Sequence, residues 1–135
     1  MIFPWVSNLF SYEPPLFISL NSNLNDKNQV SINTFTGITD VNGDINIVKK
    51  GNVATLCLTF NQFTVPNGAW NNIVIIPEGF RPALLVRGQR VYKTDKTVFE
   101  FQINPGNGQF ILRNSEHNTQ TTYGLLYIEC SYVCA

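Results

Sequence analysis

Val53-Ala54-Thr55-Leu56-Cys57-Leu58-Thr59-Phe60 alternates without a break: Ala54, Leu56, Leu58 and Phe60 fall on one side, Thr55, Cys57 and Thr59 on the other. A repeat of two puts successive side chains on opposite faces of a pleat, so this stretch reads as a half-buried β-strand. Residues 98–103 repeat the pattern, with Phe99, Phe101 and Ile103 inward and Glu100 and Gln102 between them. In residues 125–133, Leu126, Ile128, Cys130 and Tyr132 share a face. Residues 73–76 are apolar throughout, which suits a strand covered on both sides. Shorter runs at 84–87 and 110–113 complete the series.

Turn chemistry separates these runs: Pro66-Asn67-Gly68, Pro77-Glu78-Gly79, Arg87-Gly88 and Asn104-Pro105-Gly106-Asn107-Gly108. In Asp40-Val41-Asn42-Gly43-Asp44, the Asn-Gly pair predicts a type I′ hairpin turn joining a strand near 31–39 to one near 45–49. No stretch carries the helical period over ten residues. Seven or eight short strands with turns every 8–12 residues or so predict an all-β chain, an antiparallel β-sandwich or jelly roll spanning 35–135. Residues 1–34 differ: Phe3, Trp5, Leu9, Phe10, Tyr12, Leu16 and Phe17 surround Pro4, Pro14 and Pro15. Proline prevents a long helix there, so an extended N-terminal arm is expected, packed against a partner subunit.

Composition narrows the function. Of 135 residues, 44% are hydrophobic and only 13% charged, about half the usual ~25%. Nine basic and nine acidic residues cancel, which excludes binding nucleic acid by phosphate neutralisation. The apolar content excludes a disordered tail. Many asparagines supply solubility and turns in place of charge. Cys57, Cys130 and Cys134 form no disulfide framework; on one strand Cys130 and Cys134 would lie roughly 13 Å apart, beyond bridging reach. Three free thiols made in a reducing cytoplasm are expected. No run approaches the ~20 apolar residues of a membrane span, and the start lacks the features of a signal peptide.

Catalytic chemistry is sparse. His117 is the one histidine and lies in a polar loop, the acids are scattered, and Gly106-Asn107-Gly108 is a hairpin turn with no helix behind it to cradle phosphate. No catalytic residue, metal site or cofactor is expected. Saccharide-binding parts are present: an aromatic face for a sugar ring, with amides, carboxylates and guanidiniums for its hydroxyls. Trp70 lies among Asn67, Asn71 and Asn72, although an indole there also suits core packing. The loop 87–96 offers Arg87, Gln89, Arg90, Tyr92 and Asp95, and the loop 113–120 offers Glu116, His117 and Asn118. Loops gathered at one end of a sandwich are where binding residues usually sit.

Four stretches carry a resemblance: Gly37-Ile38-Thr39-Asp40-Val41-Asn42-Gly43-Asp44-Ile45, Gly51-Asn52-Val53-Ala54-Thr55-Leu56, Ile76-Pro77-Glu78-Gly79-Phe80-Arg81-Pro82, and Asn107-Gly108-Gln109-Phe110 with a closing strand from Tyr123 to Tyr132. In order and spacing they resemble the C-terminal receptor-binding tip domains of phage tail fibres and baseplate proteins. The resemblance spans roughly 35–133 and rests on scaffold motifs, since Pro77 ends a strand and Gly79 permits the turn after it. Cys130 and Cys134 depart from the apolar last strand usual in such domains. The resemblance implies a homotrimer at the virion tail tip, docked on other tail proteins, made in the host cytoplasm and non-enzymatic. It implies adhesion to a cell-surface saccharide or protein of a bacterial host, with no nucleic acid and no membrane insertion. The alternatives are a structural virion module, for fibre assembly or capsid decoration, and a small glycan hydrolase working through Asp95 and Glu116.

Overall fold

The structure, a computed structural model, describes residues 28–135; residues 1–27 of the expected arm lie outside the described residues. β1 (Gln29–Ile32) leads into the compact unit Ser31–Ala135. That unit holds β2 (Thr39–Lys50), β3 (Val53–Val65), β4 (Asn71–Ile75), β5 (Val86–Val91), β6 (Val98–Ile103), β7 (Gln109–Arg113), β8 (Thr121–Tyr123) and β9 (Leu126–Val133). They form two sheets, one in the order β1-β2-β3-β8 with β9 also on β3, the other in the order β4-β7-β6-β5, and the pairings among β2 to β9 are antiparallel. In the second sheet three successive strands are joined as hairpins and β4 lies beside β7, a Greek key.

β3 is the spine. One edge pairs with β2 along its length, and the other is shared end to end by β9 (Val53 to Phe60) and β8 (Phe63 to Val65). Its alternation is the one read from the sequence: Ala54, Leu56, Leu58 and Phe60 are buried, while Thr55, Cys57 and Thr59 are half-buried on the outer face. In β6, Phe99, Phe101 and Ile103 are buried, as expected. Phe63 joins the sheets, its ring centre 5.6 Å from Phe99 and 5.3 Å from Phe60, and stacked on Tyr123 at 5.4 Å. Burying a side chain of this size contributes roughly 1.5–3 kcal/mol, so this aromatic file is a main source of cohesion.

Four local expectations need correction. Asn42-Gly43 is not a turn: it lies inside the continuous strand β2, where the pairing slips by a bulge. Gly43 is needed there for close approach, because a Cβ would overlap the Thr59 carbonyl oxygen of β3. The β2–β3 hairpin instead turns at Gly51-Asn52, with Gly51 at φ +61° and Asn52 outside the left-handed region, the pattern of a type II′ turn. The chain from Asn33 to Ile38 is not strand; it covers the edge of β4, where the Thr36 N–H donates to the Ile73 carbonyl at 2.9 Å. β4 is therefore an edge strand and not sheathed on both faces: Ile73 is buried but Ile75 is 53% exposed. The run at 84–87 starts its strand only at Val86, leaving Leu84 80% exposed in a loop. β8, three residues long, had no alternation of its own to mark it.

Cys57 and Cys130 are half-buried free thiols and Cys134 is a buried one. Cys130 shares the inner side of β9 with Leu126, Ile128 and Tyr132, as the alternation predicts.

Candidate functional site

Three loops meet at one end of the sandwich: 66–70 before β4, 92–97 between β5 and β6, and 114–120 before β8. The second is a tight turn. The Tyr92 N–H donates to the Thr97 carbonyl at 2.7 Å, and the Thr97 N–H donates to Asp95 Oδ1 at 3.0 Å. Hydrogen bonds from the Thr97 hydroxyl and then its N–H hold the Asp95 carboxyl below its ordinary pKa, with His117 adding to the effect. Thr97 Oγ1 lies 3.4 Å from His117 Nε2, so the loops carrying Asp95 and His117 converge.

Asn114 organises the third loop. It is buried, accepts the Glu116 N–H on its side-chain oxygen at 3.0 Å, and donates from Nδ2 to the Tyr123 hydroxyl. Gly68 presses the first loop onto this one, with the space for a Cβ bounded by Asn118 Oδ1 and the carbonyls of His117 and Asn114 at 2.9–3.1 Å. The loop end is thus knitted together, and Asp95, Glu116 and Asn118 are its exposed side chains among the residues singled out from the sequence. Tyr92 is not one of them. It is 8% exposed, packs edge-on against Phe99 and Tyr123, and its hydroxyl accepts the Gly124 N–H at 2.7 Å.

Arg87 and Arg90 lie on strand β5 rather than on a loop, and the register sends them to opposite sides: Arg87 beside Gln102, Arg90 beside Phe99. On the outer face of the second sheet Arg87 joins Trp70, Gln89, Glu100, Gln102 and Arg113 around an open pocket of about 410 Å³. Trp70 is half-buried, with the Arg113 guanidinium 4.5 Å from the centre of its ring. Arg113 Nε donates to Glu100 Oε1 at 2.5 Å, the two residues facing each other directly across β6 and β7. An indole at the head of β4 therefore becomes a pocket wall instead of core.

The structure brings Trp70 together with Arg87, and Asp95 with His117, in two neighbourhoods. Residue type alone does not mark Glu100, Gln102 and Arg113 as pocket residues. Their signal was present in part, since Glu100 and Gln102 are the outward positions of an alternating strand. Among the described residues, no group of three or more His, Cys, Asp or Glu side chains is placed to hold a metal ion, and no helix is long and apolar enough to cross a membrane.

No protein-family model matches the chain, and no curated protein does. Among solved structures the chain is similar to the head domain of the fibre of porcine adenovirus type 4, NADC-1 isolate. The two share 11% identity with a TM-score of 0.46, over 80% of this chain and 92% of that one.

Proposed function

We propose that the chain is a non-enzymatic receptor-binding tip domain of a phage tail fibre or baseplate, that it works as a homotrimer in the virion, and that it grips a saccharide of the bacterial surface in the outer-face pocket. The observation that carries the saccharide reading is the pocket's chemistry. An indole, two guanidiniums, a carboxylate and two primary amides line one opening, which supplies a flat apolar surface for a ring and paired donors and acceptors for its hydroxyls. The class of protein comes from the four scaffold stretches described above. Self-association is supported at the opposite end of the strands, where Leu84 (80% exposed), Leu85, Val53 and Val133 leave an apolar surface of the kind that marks protein contacts. In this reading the aromatic residues before 35 are the inter-subunit arm.

The test is an array of bacterial capsular and cell-wall polysaccharides, probed with the wild-type chain and with Trp70→Ala. The expected result is capture of at least one polysaccharide by the wild type, its loss in the variant, and no release of sugar from the captured material. If the chain captures no polysaccharide but docks on a virion protein, the structural-module reading replaces this one; the same apolar end favours that alternative.

A further inference from the structure

We infer that the ligand is an extended oligosaccharide of repeating units, lying across β5 and filling two pockets at once; this deepens the adhesion reading above and rests on it. A second opening of about 500 Å³ lies between β5 and β9, where the edges of the two sheets part. It is not a separate site, because Arg87, Gly88 and Gln89 bound both openings. Gly88 is what lets them meet. It sits opposite Phe101, and a Cβ at this position would overlap the Phe101 ring, so the strand crosses here with backbone alone.

The two pockets repeat one chemistry. The first offers Trp70, Arg113 and Glu100, and the second offers Tyr127, Arg90 and Glu129: an aromatic, a guanidinium and a carboxylate each time. Tyr127 is 48% exposed, open enough to take a sugar ring on its face. Between them, Arg87 and Gln89 point outward on the shared wall, and among the described residues Arg87 has no carboxylate partner to occupy its donors. β5 is also an edge strand, with β6 on one side only, so its outer backbone groups are placed to meet ligand hydroxyls. Two like subsites sharing a wall match a polymer that presents the same kind of ring twice.

The probes are the polysaccharide captured on the array and its size-fractionated fragments of one, two, four and six sugars, titrated calorimetrically against the full chain. The expected result is a rise of roughly tenfold in affinity from two sugars to four, about what one aromatic contact is worth. Tyr127→Ala should abolish that rise, whereas Trp70→Ala should weaken every fragment. Tyr127 is a surface residue, and circular dichroism of the variant checks that it folds. Equal affinity for all fragments, or a length dependence that survives Tyr127→Ala, overturns the two-pocket groove while the adhesion reading stands. Failure of the wild type to capture any polysaccharide overturns both.

Discussion

Arg113 Nε donates to Glu100 Oε1 at 2.5 Å across directly paired positions of β6 and β7, and this bond fixes the guanidinium over the Trp70 ring. Both side chains are about one-third exposed, so the pair contributes no more than ~1 kcal/mol to stability. Its larger effect is positional, since it sets which face of the indole is open. Glu100→Gln removes the charge and keeps the shape. We expect a stability change under ~1 kcal/mol by urea denaturation, together with a several-fold loss of polysaccharide capture. A large loss of stability with capture intact would assign the pair to the fold instead.

The bulge in β2 depends on Gly43. Gly43→Ala drives a methyl group into backbone of β3, which cannot swing aside as a side chain can, and overpacking of this kind costs about 1–3 kcal/mol. Gly106→Ala is the control: nothing lies within 4 Å of the added carbon, and the expected change is within ~0.5 kcal/mol. Equal effects in thermal denaturation would contradict the packing described for β2 and β3.

Alkaline pH should destabilise the domain through Cys130. Burial, with lesser contributions from Cys57 and Glu129, pushes its thiol up to about 11 from an ordinary 9.0. The folded chain therefore keeps a proton that the unfolded chain gives up, so this contribution is full below pH 9 and is lost as pH rises toward 11. Burial raises Tyr132 in the same direction at higher pH. Denaturation midpoints should fall between pH 8.5 and 10.5, and Cys130→Ala should flatten that slope. An unchanged slope in the variant would show that Cys130 is open to water.

Leu84 tests the assembly. A leucine 80% exposed at the end of the sandwich opposite the loops has no folding role that a charge would harm. Leu84→Asp should leave the melting of the isolated domain within ~0.5 kcal/mol of wild type. For the homotrimer proposed above, light scattering should show the mass fall from three times 15.2 kDa to one. A trimer that survives the substitution removes this surface from the interface.

The architecture was legible where it rests on local alternation. Residues 53–60 of β3, and β6 and β9, carry an unbroken period of two, and each turns inward the residues that period names, with Cys130 half-buried and the others buried. Asn42-Gly43 misled because the dipeptide satisfies a turn locally, whereas its glycine serves a neighbouring strand that sequence order does not reveal. Ile75 and Leu84 misled for a related reason: apolar residues look alike whether they face the core or the outside of an edge. Of the site, Trp70 and Arg87 could be named from residue type, but Glu100 and Arg113 become partners only through the register of β6 on β7. That register is set by the hairpin between them, where the Asn104 N–H donates to the Gln109 carbonyl and the Gln109 N–H to the Asn107 side chain.

The most direct measurement follows the fluorescence of Trp70 while the captured polysaccharide is titrated in. The chain has two tryptophans, so Trp5→Phe leaves Trp70 as the one indole. A saturable change in emission, lost with Arg87→Ala and unaffected by Asp95→Ala or Glu116→Ala, is the expected result and places the ligand in the outer-face pocket. Binding that leaves Trp70 emission unchanged, or that fails only when Asp95 or Glu116 is replaced, would move the site to the loop end and contradict the account.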